Sequence, residues 1–137
     1  MPRRPTAFVV ACLAASALGP VGMAHAHPTT RFKACAYNEI SQSCSDNNTF
    51  LYGSTVYLKG TVRPTHAGQT ASVLRRMPYS SVWRRVATVR ISDSGKMRYS
   101  WVTTYDDAVQ RRPYWFRFNI PGHGTSNDVQ AWVISGE

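Results

Sequence analysis

From Gly53 to Val133 apolar and polar residues alternate in run after run, and a turn signal interrupts them about every 8 to 12 residues. Successive side chains of a strand point to opposite faces, so this pattern gives each strand one face for a core and one for water. A chain of many such strands with no amphipathic helix buries its apolar faces by stacking two sheets. The expected fold is therefore all-β, a two-layer antiparallel sandwich suited to holding and binding.

Seven strands can be traced: A at 31–37, B at 55–62, C at 70–77, D at 82–91, E at 96–102, F at 114–120 and G at 128–134, with a short edge segment at 50–52. Strand F alternates most clearly. Tyr114, Phe116, Phe118 and Ile120 point in; Trp115, Arg117 and Asn119 point out. By the same parity Val56, Leu58, Val62, Ala71, Val73, Met97, Tyr99, Trp101, Val129, Ala131 and Val133 face the core. The phase of strand D slips near Val86-Ala87, which predicts a bulge. A Ser/Asn-rich loop fills 38–48, and a polar crossover fills 103–112.

Residues 1–26 stand apart from this pattern. Arg3 and Arg4 form a charged start, Ala7 to Leu18 an apolar stretch too short to span a bilayer, and Ala24-His25-Ala26 a small-residue cleavage site. These are the marks of a secretory signal cleaved before His27. Val9-Val10-Ala11-Cys12 resembles a lipobox, but the apolar run continues past Cys12, so ordinary export is preferred. Residues 27–52 (first strand and loop) and 53–137 (the sandwich body) then form one domain, secreted, with no transmembrane segment. Its size allows about 65% of the unfolded chain's surface to be buried.

Removing residues 1–26, which hold Arg3 and Arg4, leaves 14 Lys and Arg against 7 Asp and Glu, a net charge of +7. Spread through the strands, such charge favours polyanions without choosing among them: anionic wall polymers, acidic polysaccharide, extracellular DNA or acidic lipid. Cys35 and Cys44 remain as an even pair in an exported chain, which predicts one disulfide. Eight residues separate them, too many for a C-x-x-C redox motif, and no clustered His or Cys suggests zinc.

Leu58-Lys59-Gly60-Thr61-Val62, Ala67-Gly68, Trp83-Arg84-Arg85-Val86-Ala87, Asp93-Ser94-Gly95 and Phe116-Arg117-Phe118 follow one another in a fixed order within about 52–133. In that order they resemble the bacterial Ig-like domains of secreted and cell-surface proteins. The resemblance implies an Ig-like sandwich and, for function, a spacer or accessory binding module. Phe116 stands where such domains carry Tyr, so no tyrosine corner is expected at that position, and the inter-sheet disulfide of antibody domains is absent.

Three groups of residues are candidates for function. Pairing F with G through 121–127 can set Trp115 opposite Trp132 on the solvent face, with Leu74 beside them and Arg76 and Arg117 at the margin. Flat aromatics flanked by arginine suit sugar rings or a protein partner; a covered cross-strand pair is the structural alternative. Arg75-Arg76 and Arg84-Arg85 flank one short turn and concentrate positive charge, either to bind an anionic polymer or to block edge-to-edge aggregation. His66, His123 and Asp93 fall at one pole of a sandwich, but no strict spacing supports a metal site there.

No catalytic motif is visible: no G-x-S-x-G, no H-E-x-x-H and no free thiol beside a histidine. Asp106 and Asp107, adjacent in sequence, suit a turn better than paired acid and base. The sequence therefore predicts a secreted, non-catalytic binding domain without cofactor, metal or specific nucleic acid. Its expected partner is an anionic wall polymer, polysaccharide or a surface protein. The alternatives are an inhibitor acting through the Cys35–Cys44 loop or 121–127 and, further off, a small hydrolase.

Overall fold

The structure, a computed structural model, describes residues 31–40 and 43–136. The expected signal at 1–26 lies outside the described residues. Among the described residues there are nine strands and one helical turn: β1 (Arg31–Tyr37), β2 (Asn47–Leu51), β3 (Thr55–Arg63), β4 (Thr70–Arg76), β5 (Trp83–Arg90), β6 (Lys96–Val102), α1 (Tyr105–Ala108), β7 (Tyr114–Ile120), β8 (Gly124–Thr125) and β9 (Val129–Ile134). They form a small sheet, β1-β3-β6, facing a larger one, β2-β9-β7-β4-β5, with β8 alongside β7.

The count is nine and not seven for two local reasons. The edge segment expected at 50–52 is a full strand, β2, and the loop after β7 folds back on it as β8. The sandwich is also not wholly antiparallel, since β2 runs parallel to β9. The polar loop after β1 climbs back along that strand, bridged at Ala36 and Ser45, so β2 starts beside Gln130 and shares the direction of β9.

The core lies where alternation places it. Phe50, Leu58, Phe116, Phe118, Ile91 and Met97 are fully buried, and Trp101 packs its ring 4.9 Å from Tyr114 and 5.2 Å from Phe116. Gly60 occupies an inward position of β3 because nothing larger fits. A Cβ there would meet Met97 Cγ at 2.8 Å and the Phe118 ring at 2.9 Å. The expected slip in strand D is a bulge: Val73 pairs with Ala87 but Leu74 with Arg85, leaving Val86 over.

The 103–112 crossover is ordered by its acidic residues. Asp107 accepts the Thr104 N–H at 2.7 Å and the Thr104 hydroxyl at 3.2 Å, completing a capping box at α1. Tyr114, at the start of β7, donates its hydroxyl to Asp107 Oδ1 at 2.5 Å. Burial, then this bond and the carboxylate charge, push the Tyr114 phenol well above its ordinary range.

The two flanks of the sandwich differ. On the β1/β2 side Cys35 and Cys44 form the expected disulfide, with Cα atoms 5.3 Å apart. Ala36 exchanges hydrogen bonds with Ser45 at 2.8 and 3.1 Å, and Asn127 bonds both main-chain groups of Ala34. On the β5/β6 side three strands face five; β6 touches β5 across the sandwich, and Val86, Ala87 and Val89 of β5 are only partly buried.

Candidate functional site

The aromatic residues singled out in the sequence do share the outer face of the larger sheet, in a different register. Trp115 pairs with Gln130 on β9 and with Arg76 on β4, whereas Trp132 lies opposite Thr49 of β2. The expected opposition of Trp115 and Trp132 is therefore not formed; they are diagonal neighbours. The cause is the tight β7–β8 turn, closed by the His123 N–H on the Ile120 carbonyl, which brings β9 back two residues earlier along β7.

The partner that Trp115 finds is cationic. The Arg76 guanidinium lies 4.8 Å from the Trp115 ring and 5.4 Å from Trp83, and Arg117 sits 3.8 Å over Trp83. Arg117 also meets the Asp128 carboxylate at 3.6 Å. Leu74 stands between Arg85 and Arg117 in the next row, as expected beside the aromatics. Indole and guanidinium thus alternate across three strands, with Arg76 against Trp115 and both Arg76 and Arg117 against Trp83. Each such contact contributes about 0.5–2 kcal/mol, depending on solvent access.

Trp83 was legible only as part of a motif, because its role needs β5 beside β4. At the same end of the sheet a cleft of about 330 Å³ is lined by Arg76, Tyr79, Arg112 and Trp115 among others. Tyr79 is 71% exposed in a left-handed conformation (φ 64°), under the Arg112 guanidinium at 4.9 Å.

The arginine hairpin divides between the two faces. Arg75 pairs directly with Arg84 on one side, while Arg76 and Arg85 point to the other, opposite Trp83 and Leu74. The four residues do not form a single patch, since a two-residue step along a strand is needed to stay on one face.

A further concentration of charge lies on the outer face of the smaller sheet. Cross-strand rows there read Arg31–Arg63, Lys33–Thr61–Lys96, Cys35–Lys59–Arg98 and Tyr37–Tyr57–Ser100. Six cations thus project from three adjacent strands that contain no Asp or Glu. Arg31 faces Arg63 directly, and Lys59 faces Arg98. Like charges directly opposite each other destabilise a sheet. The Tyr37 and Tyr57 rings stack at 5.4 Å below the rows, and Glu39 reaches the Tyr57 hydroxyl at 3.4 Å. The outward parity of these residues was readable; that the strands are neighbours was not.

His66 and His123 do meet at one pole, their rings 4.2 Å apart. Desolvation, and then the charge of His123, hold the His66 imidazole below its ordinary value. Among the described residues no group of three or more His, Cys, Asp or Glu assembles to hold a metal. Among them, too, no helix is long and apolar enough to cross a membrane. A scan against protein-family models and a search of curated proteins find no match to this chain.

Proposed function

We propose that this protein is a secreted, non-catalytic binding domain of the Ig-like type that holds an anionic polymer of the cell envelope against the outer face of its smaller sheet. One observation carries the reading: six cations on three neighbouring strands, two pairs of them directly opposed, with no carboxylate in those strands. That arrangement costs folding stability in the free protein. A polyanion laid across it removes the repulsion and sheds its own counterions, so binding gains what folding gives up. Rows two residues apart are about 6.5–7 Å apart and strands about 4.8 Å, a spacing that suits charges repeating along a polymer. The disulfide fits an oxidising compartment. On this reading the tryptophan–arginine row stiffens the opposite sheet and is not the main contact.

Co-sedimentation of the protein with isolated anionic wall polymer and with a neutral polysaccharide, across a salt series, tests the reading. Binding to the anionic polymer alone, lost as salt rises and lost in a Lys33→Glu, Lys59→Glu variant, is the expected result. Salt-resistant binding to the neutral polysaccharide, or full binding by that variant, overturns it.

A further inference from the structure

The open flank of the sandwich has the features of a vacant strand position. In β6 the odd-numbered residues bond to β3: the Val62 N–H reaches the Gly95 carbonyl at 2.9 Å, and the Thr103 N–H reaches the Ser54 carbonyl at 3.0 Å. The even-numbered residues therefore turn their main-chain groups to the other edge. At Lys96 those groups are satisfied, the carbonyl by the Ser92 N–H at 2.9 Å and the N–H by the Ser92 hydroxyl at 3.0 Å. At Arg98 and Ser100 they have no main-chain partner among the described residues. The matching edge of β1, on the other flank, is filled by Asn127 and Ser45.

The core is incomplete at the same place. The inward residues of β4, Ala71 and Val73, are fully buried, yet Ala87 and Val89 on β5 and Tyr99 on β6 are only partly covered. Between them runs a cleft of about 550 Å³ with Val89 and Met97 in its wall and Arg90, Lys96 and Arg98 on its rim, and no carboxylate in its lining. The β5 edge is a poorer template, because its bulge at Val86 breaks regular pairing.

We propose that the β6 edge accepts an extended acidic segment of a partner protein as a tenth strand, lying antiparallel or parallel to Lys96–Val102. Its main chain would bond Arg98 and Ser100. Alternate side chains would fall into two sets, apolar ones turned in over Tyr99, Val89 and Ala87, acidic ones turned out beside Lys96 and Arg98. The cations choose the sign of the partner: a second copy of this basic chain brings its own Lys96 and Arg98 to the seam, whereas an acidic strand finds them complementary. This site does not rest on the polymer-binding reading: Lys96 and Arg98 border both surfaces, but the site's main-chain edge and its cleft at Val89 and Met97 are not part of the polymer face.

A synthetic peptide alternating Glu and Val, compared with a Lys/Val peptide and with a Glu/Val peptide N-methylated on its pairing edge, tests the proposal by affinity and by amide hydrogen exchange. The expected result is binding of the Glu/Val peptide alone, with exchange at Arg98 and Ser100 slowed at least about tenfold. Ser100→Pro removes a donor that β3 does not use, and Arg98→Glu reverses a rim charge; each weakens binding by about tenfold or more. The N-methylated peptide makes the same point without touching the fold of the protein. An Arg31→Glu, Lys33→Glu variant, changed only on β1 at the far side of the small sheet, keeps full peptide affinity, which separates this site from the polymer face. Failure of the Glu/Val peptide to bind, binding without protection at Arg98 and Ser100, or equal binding of the N-methylated peptide overturns the proposal. So does protection of those amides by concentration-dependent dimerisation of the protein alone.

Discussion

The side-chain amide of Asn127 clamps the main chain of Ala34, accepting its N–H at 2.8 Å and donating to its carbonyl at 3.0 Å. The amide imitates one residue of a strand and ties the smaller sheet to the turn that leads into β9. It sits where the chain steps from the β8 pairing to the β9 pairing along β7.

Asn127→Ala leaves both groups of Ala34 without their partner at a partly buried site. The expected loss is about 1–3 kcal/mol. Urea unfolding should show a lower midpoint with an unchanged slope; an unchanged midpoint would show that the clamp is redundant.

Tyr114 makes the fold sensitive to alkali. Its phenol is held above the ordinary value of 10.0, so above that pH the folded state keeps a proton that the unfolded state has lost. The stabilising term is complete below about pH 10 and declines as pH rises above it. Tyr114→Phe should cost about 1.5–3 kcal/mol at neutral pH, since the bond is to a charged acceptor, and should flatten the alkaline slope. Thermal unfolding between pH 8 and 11 measures both.

The histidine contact works in the opposite direction. His66 titrates below 6.5 in the folded state, so its contribution is present above that pH and fades as acid charges the ring beside His123. In a proton NMR titration the His66 midpoint should lie below 6.5 and move back toward it in His123→Asn. The return should be incomplete, because desolvation is the larger cause.

The Trp83 ring supports two guanidiniums, so Trp83→Ala should destabilise the larger sheet by about 1–3 kcal/mol through lost packing and lost cation–π contact. Affinity for anionic polymer should stay within about twofold of the parent in the same sedimentation assay. A large loss of affinity with little loss of stability would return the aromatic face to the centre of function.

Salt should act with opposite sign on folding and on binding. Screening relieves the Arg31–Arg63 and Lys59–Arg98 repulsions, so the melting temperature of the free protein should rise between low and moderate ionic strength. Polymer affinity should fall over the same range. A melting temperature that drops with salt would mean that the opposed cations are already neutralised within the chain.

Period-two alternation was enough to place most of the fold. It located β1, β6 and β7 at their observed bounds, the bulge at Val86 and nearly all of the core, because each is a local property of one strand. The disulfide followed from two cysteines in a chain read as exported. Register was less accessible. Trp115 meets Gln130 and not Trp132 because Gly124 and Thr125 pair with β7, two residues of strand that Gly and Pro around them disguise as loop. Strand β2 was seen only at its apolar end, since Asn47, Asn48 and Thr49 carry no hydrophobic alternation and are held by pairing to β9. The cationic face was hidden for a third reason. Lys33, Lys59 and Arg98 are distant in sequence, and only sheet order brings them side by side.

The difference between the two flanks has a mechanical consequence. One side is crosslinked by Cys35–Cys44 and laced by Asn127; among the described residues the other ends in β5 and β6, neither of which has a further strand on its outer edge. Thermal opening should thus be directional, peeling β5 away from β4 and leaving β1, β3 and the crosslinked loop as the last ordered remnant. On heating, the molecule should open less like a block that melts at once than like a book bound along one spine.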